Sequence, residues 1–341
     1  MEVERALAQF QERIGILRQE VGKAIVGHDA VVEQVLIGLV AGGHVLLEGV
    51  PGLGKTLLVR TLSQALSLRF SRIQFTPDLM PADILGTNIV VEDEGGRRGF
   101  QFQRGPIFGN IVLADEVNRA TPKTQSALLE AMQEQCVTVS GVRYPLEEPF
   151  FVLATQNPIE MEGTYPLPEA QLDRFLFKVV VGASPMEELV EVLERTTGKA
   201  TATVRPVLSG ADVLAMRALA REVPIASHVV RYAARIVLGS HPETPEATAS
   251  AKRYVRYGAS PRGAQSMVLA AKILALLRGR YNVSFEDIRT VAVPALRHRL
   301  ILNFEGEAEG VKTEDLVAKV IQETPELPRE VEKFVAKMGK R

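Results

Sequence analysis

Gly49, Gly54, Lys55 and Thr56 stand in the order Gly-x4-Gly-Lys-Thr, a pattern whose chemistry is the grip of a nucleoside triphosphate. Glycines let the backbone curl until successive N–H groups point inward at phosphate oxygens. The helix that such a loop opens adds its positive dipole end. Lys55 is typed to neutralise the β- and γ-phosphates, and the Thr56 hydroxyl to ligate Mg2+. The run Gly49, Val50, Pro51, Gly52, Leu53, Gly54, Lys55, Thr56 and Leu57 is therefore the expected ATP-binding loop. An accidental glycine turn is the alternative. An apolar strand before the loop and the helical spacing of Leu57, Leu58, Leu62 and Leu66 after it argue against that.

Four further segments carry groups suited to phosphoryl transfer. Ile111–Val–Leu–Ala–Asp115–Glu116 is an apolar strand ending in adjacent carboxylates. A strand-end Asp orients Mg2+ and its water shell, and a neighbouring Glu can polarise the attacking water. The same pair also reads as a helix N-cap. Asn157 ends the buried run Phe151–Thr155–Gln156, where ligands lie in open α/β sheets; the alternative is a loop Asn before the proline turn at Pro158. Arg174 precedes the next strand. It can serve a neighbouring subunit's transferring phosphoryl group, or simply pair with Asp173 or Glu169. Arg262 opens a long helix, where its charge opposes the dipole, so an anion is expected beside it: nucleotide phosphate or a carboxylate.

The elements that must position these groups follow from the spacing. Helical periodicity covers Val3–Ile25 and Asp29–Val40, and His44–Glu48 reads as the strand feeding the loop. Phe70–Phe75, Ile111–Ala114, Phe150–Ala154 and Phe175–Val181 read as four more strands. Apolar runs alternating with helices predict an α/β fold, a mostly parallel five-stranded sheet with helices on both faces. Two pieces break the rhythm: an insert of strand and hairpin over 76–110, and a hairpin over 135–149 turning at Ser140–Gly141. Beyond Ser184 helical patterns dominate, at Glu187–Arg195, Ala211–Arg221, Ser227–Leu238, Arg262–Leu277 and Phe285–Ala295. The expected division is a nucleotide-binding domain over 1–184 and an all-helical domain over 185–341.

Bulk properties narrow the class. The 341 residues hold 46% hydrophobic and 24% charged residues, ordinary for a globular protein, and exceed what one simple core needs. Lys+Arg of 40 against Asp+Glu of 41 sets up no global basic field, which weighs against nucleic acid. Cys136, the sole cysteine, excludes an internal disulfide and sits beside Val137 and Val139 as a packed strand thiol. The five histidines lack metal-ligand spacing. No apolar run is long enough to span a bilayer, the best stretch, Ser266–Leu277, being cut by Lys272, and the charged start (Glu2, Glu4, Arg5) has no leader-like core. The expected location is cytoplasmic.

Taken in order, these motifs resemble an AAA+ ATPase: Walker A at Gly49–Thr56, Walker B ending in Asp115–Glu116, sensor 1 at Asn157, an arginine finger at Arg174 and sensor 2 at Arg262. The sequence is most similar to the MoxR family, through 43–56, Asp115–Ala120, Thr155–Pro158 and Glu162–Phe175. The resemblance covers nearly the whole chain. It implies a P-loop domain with a helix-2 insert at about 76–110 and a pre-sensor-1 hairpin at about 135–149, followed by a helical lid. It further implies ATP and Mg2+ as cofactors, an adenine site at Val26 and Gly27, and a homo-oligomeric ring, usually a hexamer. By the same resemblance the protein acts as a chaperone-like remodeller of a protein client, with a partner bearing a von Willebrand factor A domain. Arg119 is either a second interface arginine or a solvated helix-start residue. Two readings from other classes compete: a nucleotide-gated scaffold with little turnover, against which Glu116 and Arg174 stand, and a DNA-associated motor, for which Arg143 is the one basic hairpin residue.

Overall fold

The computed structural model describes residues 2–49, 54–92, 96, 98–157, 163–197 and 203–327. Two helices, α1 (Glu2–Gly22) and α2 (Asp29–Ala41), precede the sheet. α1 stops three residues short of the expected Ile25, and Gly27 and His28 then both take positive φ, 66° and 56°. Next come β1 (Val45–Glu48), α3 (Lys55–Ala65) and β2 (Phe70–Gln74). The expected insert is α4 (Pro81–Leu85), the antiparallel pair β3 (Gly86–Glu92) and β4 (Arg98–Arg104), and a 3₁₀ turn at Pro106–Phe108. Residues 93–95 and 97 of its turn lie outside the described residues.

β5 (Ile111–Asp115) leads through a 3₁₀ turn, Val117–Arg119, into α5 (Pro122–Glu134). The expected hairpin is β6 (Cys136–Val139) and β7 (Val142–Pro145). Ser140 and Gly141 both have positive φ, 50° and 80°, as a two-residue turn matched to strand twist requires. The two hairpins touch: Asn88 Nδ2 donates to Ser140 Oγ at 3.1 Å, and Phe102 stacks on Tyr144 at 4.1 Å. β8 (Phe151–Gln156), α6 (Glu169–Leu172) and β9 (Phe177–Val180) complete the α/β part. β9 starts two residues later than expected because the α6 turn runs on, the Phe175 N–H donating to the Leu172 carbonyl.

The five-stranded sheet has the order β2-β5-β8-β1-β9, with β2–β5, β5–β8 and β1–β8 parallel. Each central strand is a continuous apolar run because both its faces are covered. Val112 and Ala114 enter a core with Leu128, Leu129 and Met132 of α5, and the alternate residues Ile111 and Leu113 are equally buried on the opposite face.

The remaining elements are helices α7 (Met186–Thr197), α8 (Gly210–Glu222), α9 (Ser227–Gly239), α10 (Ala249–Tyr254), α11 (Pro261–Leu277), α12 (Phe285–Leu296), α13 (Phe304–Ala308) and α14 (Thr313–Glu323). Among them lies one short antiparallel pairing, β10 (Val255–Tyr257) with β11 (Ile301–Leu302). α12 starts sharply: Ser284 Oγ accepts from the Asp287 N–H at 3.3 Å, and the buried Asp287 carboxylate accepts from the Ser284 N–H at 2.8 Å. Two compact units result. One is Glu12–Phe175 with Val179–Arg217; the other gathers the described residues of Met1–Gln11, Leu176–Lys178 and Ala218–Arg341.

His44 locks the sheet to α5. Its Nδ1 accepts the Val152 N–H at 3.0 Å and its Nε2 lies 3.2 Å from the Met132 carbonyl, a pattern met by the neutral ring protonated on Nε2. Burial holds its pKa at about 4, below the ordinary 6.5. The folded state therefore refuses a proton that the unfolded chain accepts. The stability His44 contributes is whole above pH 6.5 and drains away as the pH falls to about 4, by about 3 kcal/mol. A urea-unfolding series across that range should show this slope in the wild type and a shallower one in His44→Gln; equal slopes would contradict it.

Candidate active site

Apolar packing stops at one line across the sheet. Ile73, Ala114, Ala154 and Leu46 lie side by side in register and are all buried. One residue further on, Gln74 pairs with Asp115 and Thr155 with Leu47, so polar side chains first appear at the carboxyl ends of the central strands β5 and β8, beside Arg72 and Gln74 of the edge strand β2. Ligands of open α/β sheets sit at this edge.

Asp115 has both carboxylate oxygens engaged. Oδ1 accepts from Thr155 Oγ1 at 2.6 Å, and Oδ2 accepts from Arg72 Nη2 at 2.6 Å and Nε at 3.2 Å. Glu116 follows with φ 56° and ψ 49°, a left-handed conformation that costs about 1 kcal/mol for a residue with a Cβ. Its N–H is held by Thr155 Oγ1 at 2.9 Å. Its Oε2 accepts from Gln74 Nε2 at 2.9 Å and from Arg119 Nη1 at 3.2 Å. Arg72 Nη2 also donates to Gln74 Oε1 at 2.7 Å, which links the two carboxylates through β2.

Lys55 begins α3 behind Gly54, whose φ of 72° suits glycine. Its Nζ donates to the Gly49 carbonyl at 2.6 Å. Burial pulls the ammonium below the usual lysine range, while Asp115 and Glu116 pull the other way. Gly49 admits no side chain, because a Cβ there would stand 2.6 Å from the Val181 carbonyl oxygen. Gly54, Lys55, Thr56, Arg72, Asp115 and Glu116 line one cavity of about 430 Å³, together with Thr155 and the buried Asn157. Gly54, Lys55 and Leu57 also line a second cavity of about 420 Å³, whose other walls include Ile25, Val26, Leu47, Leu58, Val181 and Leu189. A polar pocket and an apolar pocket thus meet across the start of α3.

That pairing of pockets is the shape of a nucleotide, an apolar base joined to a charged phosphate chain. The donors also fit a hard divalent cation. Mg2+ takes one or two protein oxygens and completes its shell with phosphate and water, which the Thr56 hydroxyl and Asp115 carboxylate allow. Among the described residues no three His, Cys, Asp or Glu side chains form a self-sufficient metal cluster.

The structure brings Gly49, Gly54, Lys55, Thr56, Leu57, Asp115, Glu116 and Asn157 together, and Val26 lines the adjoining apolar cavity. Gly27 lines a neighbouring cavity instead, with its α-carbon against the Glu188 carboxylate. Val50, Pro51, Gly52 and Leu53 lie outside the described residues. Arg174 lines neither of the two pockets. Its Nη1 donates to the Leu129 carbonyl at 2.8 Å, its buried Nε has no hydrogen-bond partner among the described residues, and it borders a separate polar cavity with Arg143 and Gln171. Arg262 stands exposed in the first turn of α11, in the other compact unit. Arg119 is tied to Glu116 across a 3₁₀ turn. Sequence reasoning missed Arg72, Gln74 and Thr155. Their one signal is alternation: Arg72 and Gln74, two apart on a strand, share a face.

A family described as "ATPase family associated with various cellular activities (AAA)" matches residues 44–177, and one described as "AAA lid domain" matches 247–320. Chaperone MoxR1 of Mycobacterium tuberculosis is 45% identical, over 91% of this chain and 81% of its own. YeaC of Bacillus subtilis is 42% identical, over 90% and 93%. Protein MoxR of Paracoccus denitrificans is 32% identical, over 82% and 86%. A solved structure from Cytophaga hutchinsonii superposes with a TM-score of 0.88 at 41% identity, covering 95% of this chain and 98% of that one.

If the two pockets hold one nucleotide, Lys55→Met should weaken a fluorescent ATP analogue by about tenfold or more, the worth of a charged hydrogen bond. Unchanged affinity in a titration would contradict the assignment.

Proposed function

Because the chain belongs to the MoxR family of AAA+ ATPases, we propose that it hydrolyses ATP with Mg2+ as one subunit of a ring and spends the energy on remodelling a protein client. The observation that carries the reading is the convergence of Lys55, Asp115, Glu116 and Asn157 on one cavity that shares its wall with an apolar pocket. In this reading the nucleotide-binding domain extends to about 184 and the rest of the chain is its lid. Bound by Thr56 and Asp115, Mg2+ would draw charge from the phosphate oxygens. The protein's own groups do the rest. Lys55 neutralises the phosphate chain, and the loop from Gly49 to Leu57 cradles it. Glu116 takes the proton from the attacking water as the bond to ADP breaks and phosphate leaves, with Asn157 orienting that water.

Arg174 supports a ring. It lies away from its own chain's pocket and borders a separate polar cavity, which suits a cation offered to the nucleotide of the next copy. Arg262 completes the assignment as a lid-borne phosphate contact, and Val26 with Gly27 as the adenine edge. The chaperone role rests on the relative named Chaperone MoxR1. A von Willebrand factor A partner and a cytoplasmic location belong to the same family reading.

Glu116→Gln should retain ATP while turnover falls by about a hundredfold or more. Full turnover in this variant would refute the catalytic assignment. Arg174→Ala should lose turnover without losing nucleotide affinity. Mixed with Glu116→Gln, it should regain activity above either alone, because each supplies what the other's interface lacks. A mixture no better than its parts would exclude the shared site.

A further inference from the structure

Asp115 is held on two sides by side chains of different kinds. Thr155 is a fully buried hydroxyl on the central strand β8. Its single proton goes to Asp115 Oδ1, and its oxygen accepts the Glu116 N–H. A hydroxyl has one proton to give, so these two bonds fix its direction. One side chain thereby sets the angle of the Asp115 carboxylate and offsets the left-handed backbone of Glu116.

Arg72 differs. It lies on β2, at the sheet edge, with its side chain 49% exposed. Its guanidinium brings Nε and Nη2 to the single oxygen Oδ2, and the same Nη2 also donates to Gln74 Oε1. A long exposed side chain can withdraw from such a contact at small cost. An oxygen that faces two cationic N–H groups cannot also face a divalent cation closely unless the guanidinium gives way.

Resting on the nucleotide reading above, we infer that Thr155 and Arg72 are opposed positioning residues for the metal-binding carboxylate: Thr155 holds Asp115 in place through Oδ1, and Arg72 competes with the cation for Oδ2. Because Gln74 bonds both Arg72 and Glu116, withdrawal of Arg72 also loosens the hold on Glu116. Metal occupancy at Asp115 is thus relayed to the residue that receives the proton from water.

The inference requires effects of opposite sign from two residues in contact with the same carboxylate. Full-length protein saturated with ADP is titrated with Mn2+, and free Mn2+ is read by electron paramagnetic resonance. Thr155→Val, which keeps the shape and removes the hydroxyl, should weaken Mn2+ binding at least fivefold, and Thr155→Ser should restore it. Arg72→Gln should tighten binding at least threefold and flatten its dependence on competing salt. Shifts of the same sign in Thr155→Val and Arg72→Gln, or no shift in either, would overturn the inference. Failure of wild-type protein to take up ADP would instead sink the nucleotide reading itself, so the two failures are separable. Circular dichroism melts of each variant identify a merely unfolded one, in which case Thr155→Ala and Arg72→Met, which also remove the hydroxyl and the charge, decide by the same signs.

Discussion

A sheet covered on both faces has almost nowhere to put charge. Along β5 and β8 every side chain from Ile111 to Ala114 and from Phe151 to Thr155 is buried, so a carboxylate there would lack solvent and partner alike. Only the strand ends escape the constraint. The step from the apolar row Ile73–Ala114–Ala154–Leu46 to Gln74, Asp115 and Thr155 is a single residue, and the site is built on that step. Register, more than any loop, decides which polar groups meet. Because β2, β5 and β8 are parallel, their carboxyl ends arrive at one edge together, alongside the Gly54–Lys55 start of α3.

Much of this was legible in the chain itself. The glycine loop, the strand ending in Asp115–Glu116 and the amide at Asn157 are contiguous motifs whose residue types announce their chemistry, and the five strands declare themselves as apolar runs. The hairpin at Ser140–Gly141 could be read because a Ser-Gly pair between apolar runs punctuates a turn, Gly141 taking positive φ without cost. Arg72, Gln74 and Thr155 were not legible, since their contacts to Asp115 and Glu116 arise from pairing between strands some 40 residues apart. The pairing of β10 with β11 was invisible for a different reason: two or three residues carry no period. α14 did have a readable stripe in Leu316, Val317 and Val320 but sits beyond the helices singled out by spacing. The strand expected over Phe175–Val181 is shorter, Phe177–Val180, because Phe175, apolar and buried, packs from a turn and not from the strand.

The site divides its labour between permanence and exchange. Thr155 and Asn157 are buried on β8 or at its end, whereas Arg72 and Arg119 are half-exposed and reach the same two carboxylates from outside. Buried groups hold geometry, and exposed ones can be traded for a ligand. Arg174 stands apart from both carboxylates, its guanidinium anchored to the Leu129 carbonyl at a pocket of its own.

The central claim is that the carboxylate at the end of β5 and the lysine at the start of α3 share one metal-bound triphosphate. The most direct test is a crystal grown with Mn2+ and a non-hydrolysable ATP analogue, read by the anomalous signal of the metal. The account predicts one peak beside the Thr56 hydroxyl and within about 4 Å of the Asp115 carboxylate, directly or through one water, with the base in the pocket lined by Val26 and Leu58. A metal peak elsewhere, or phosphates bound away from Lys55, would contradict it.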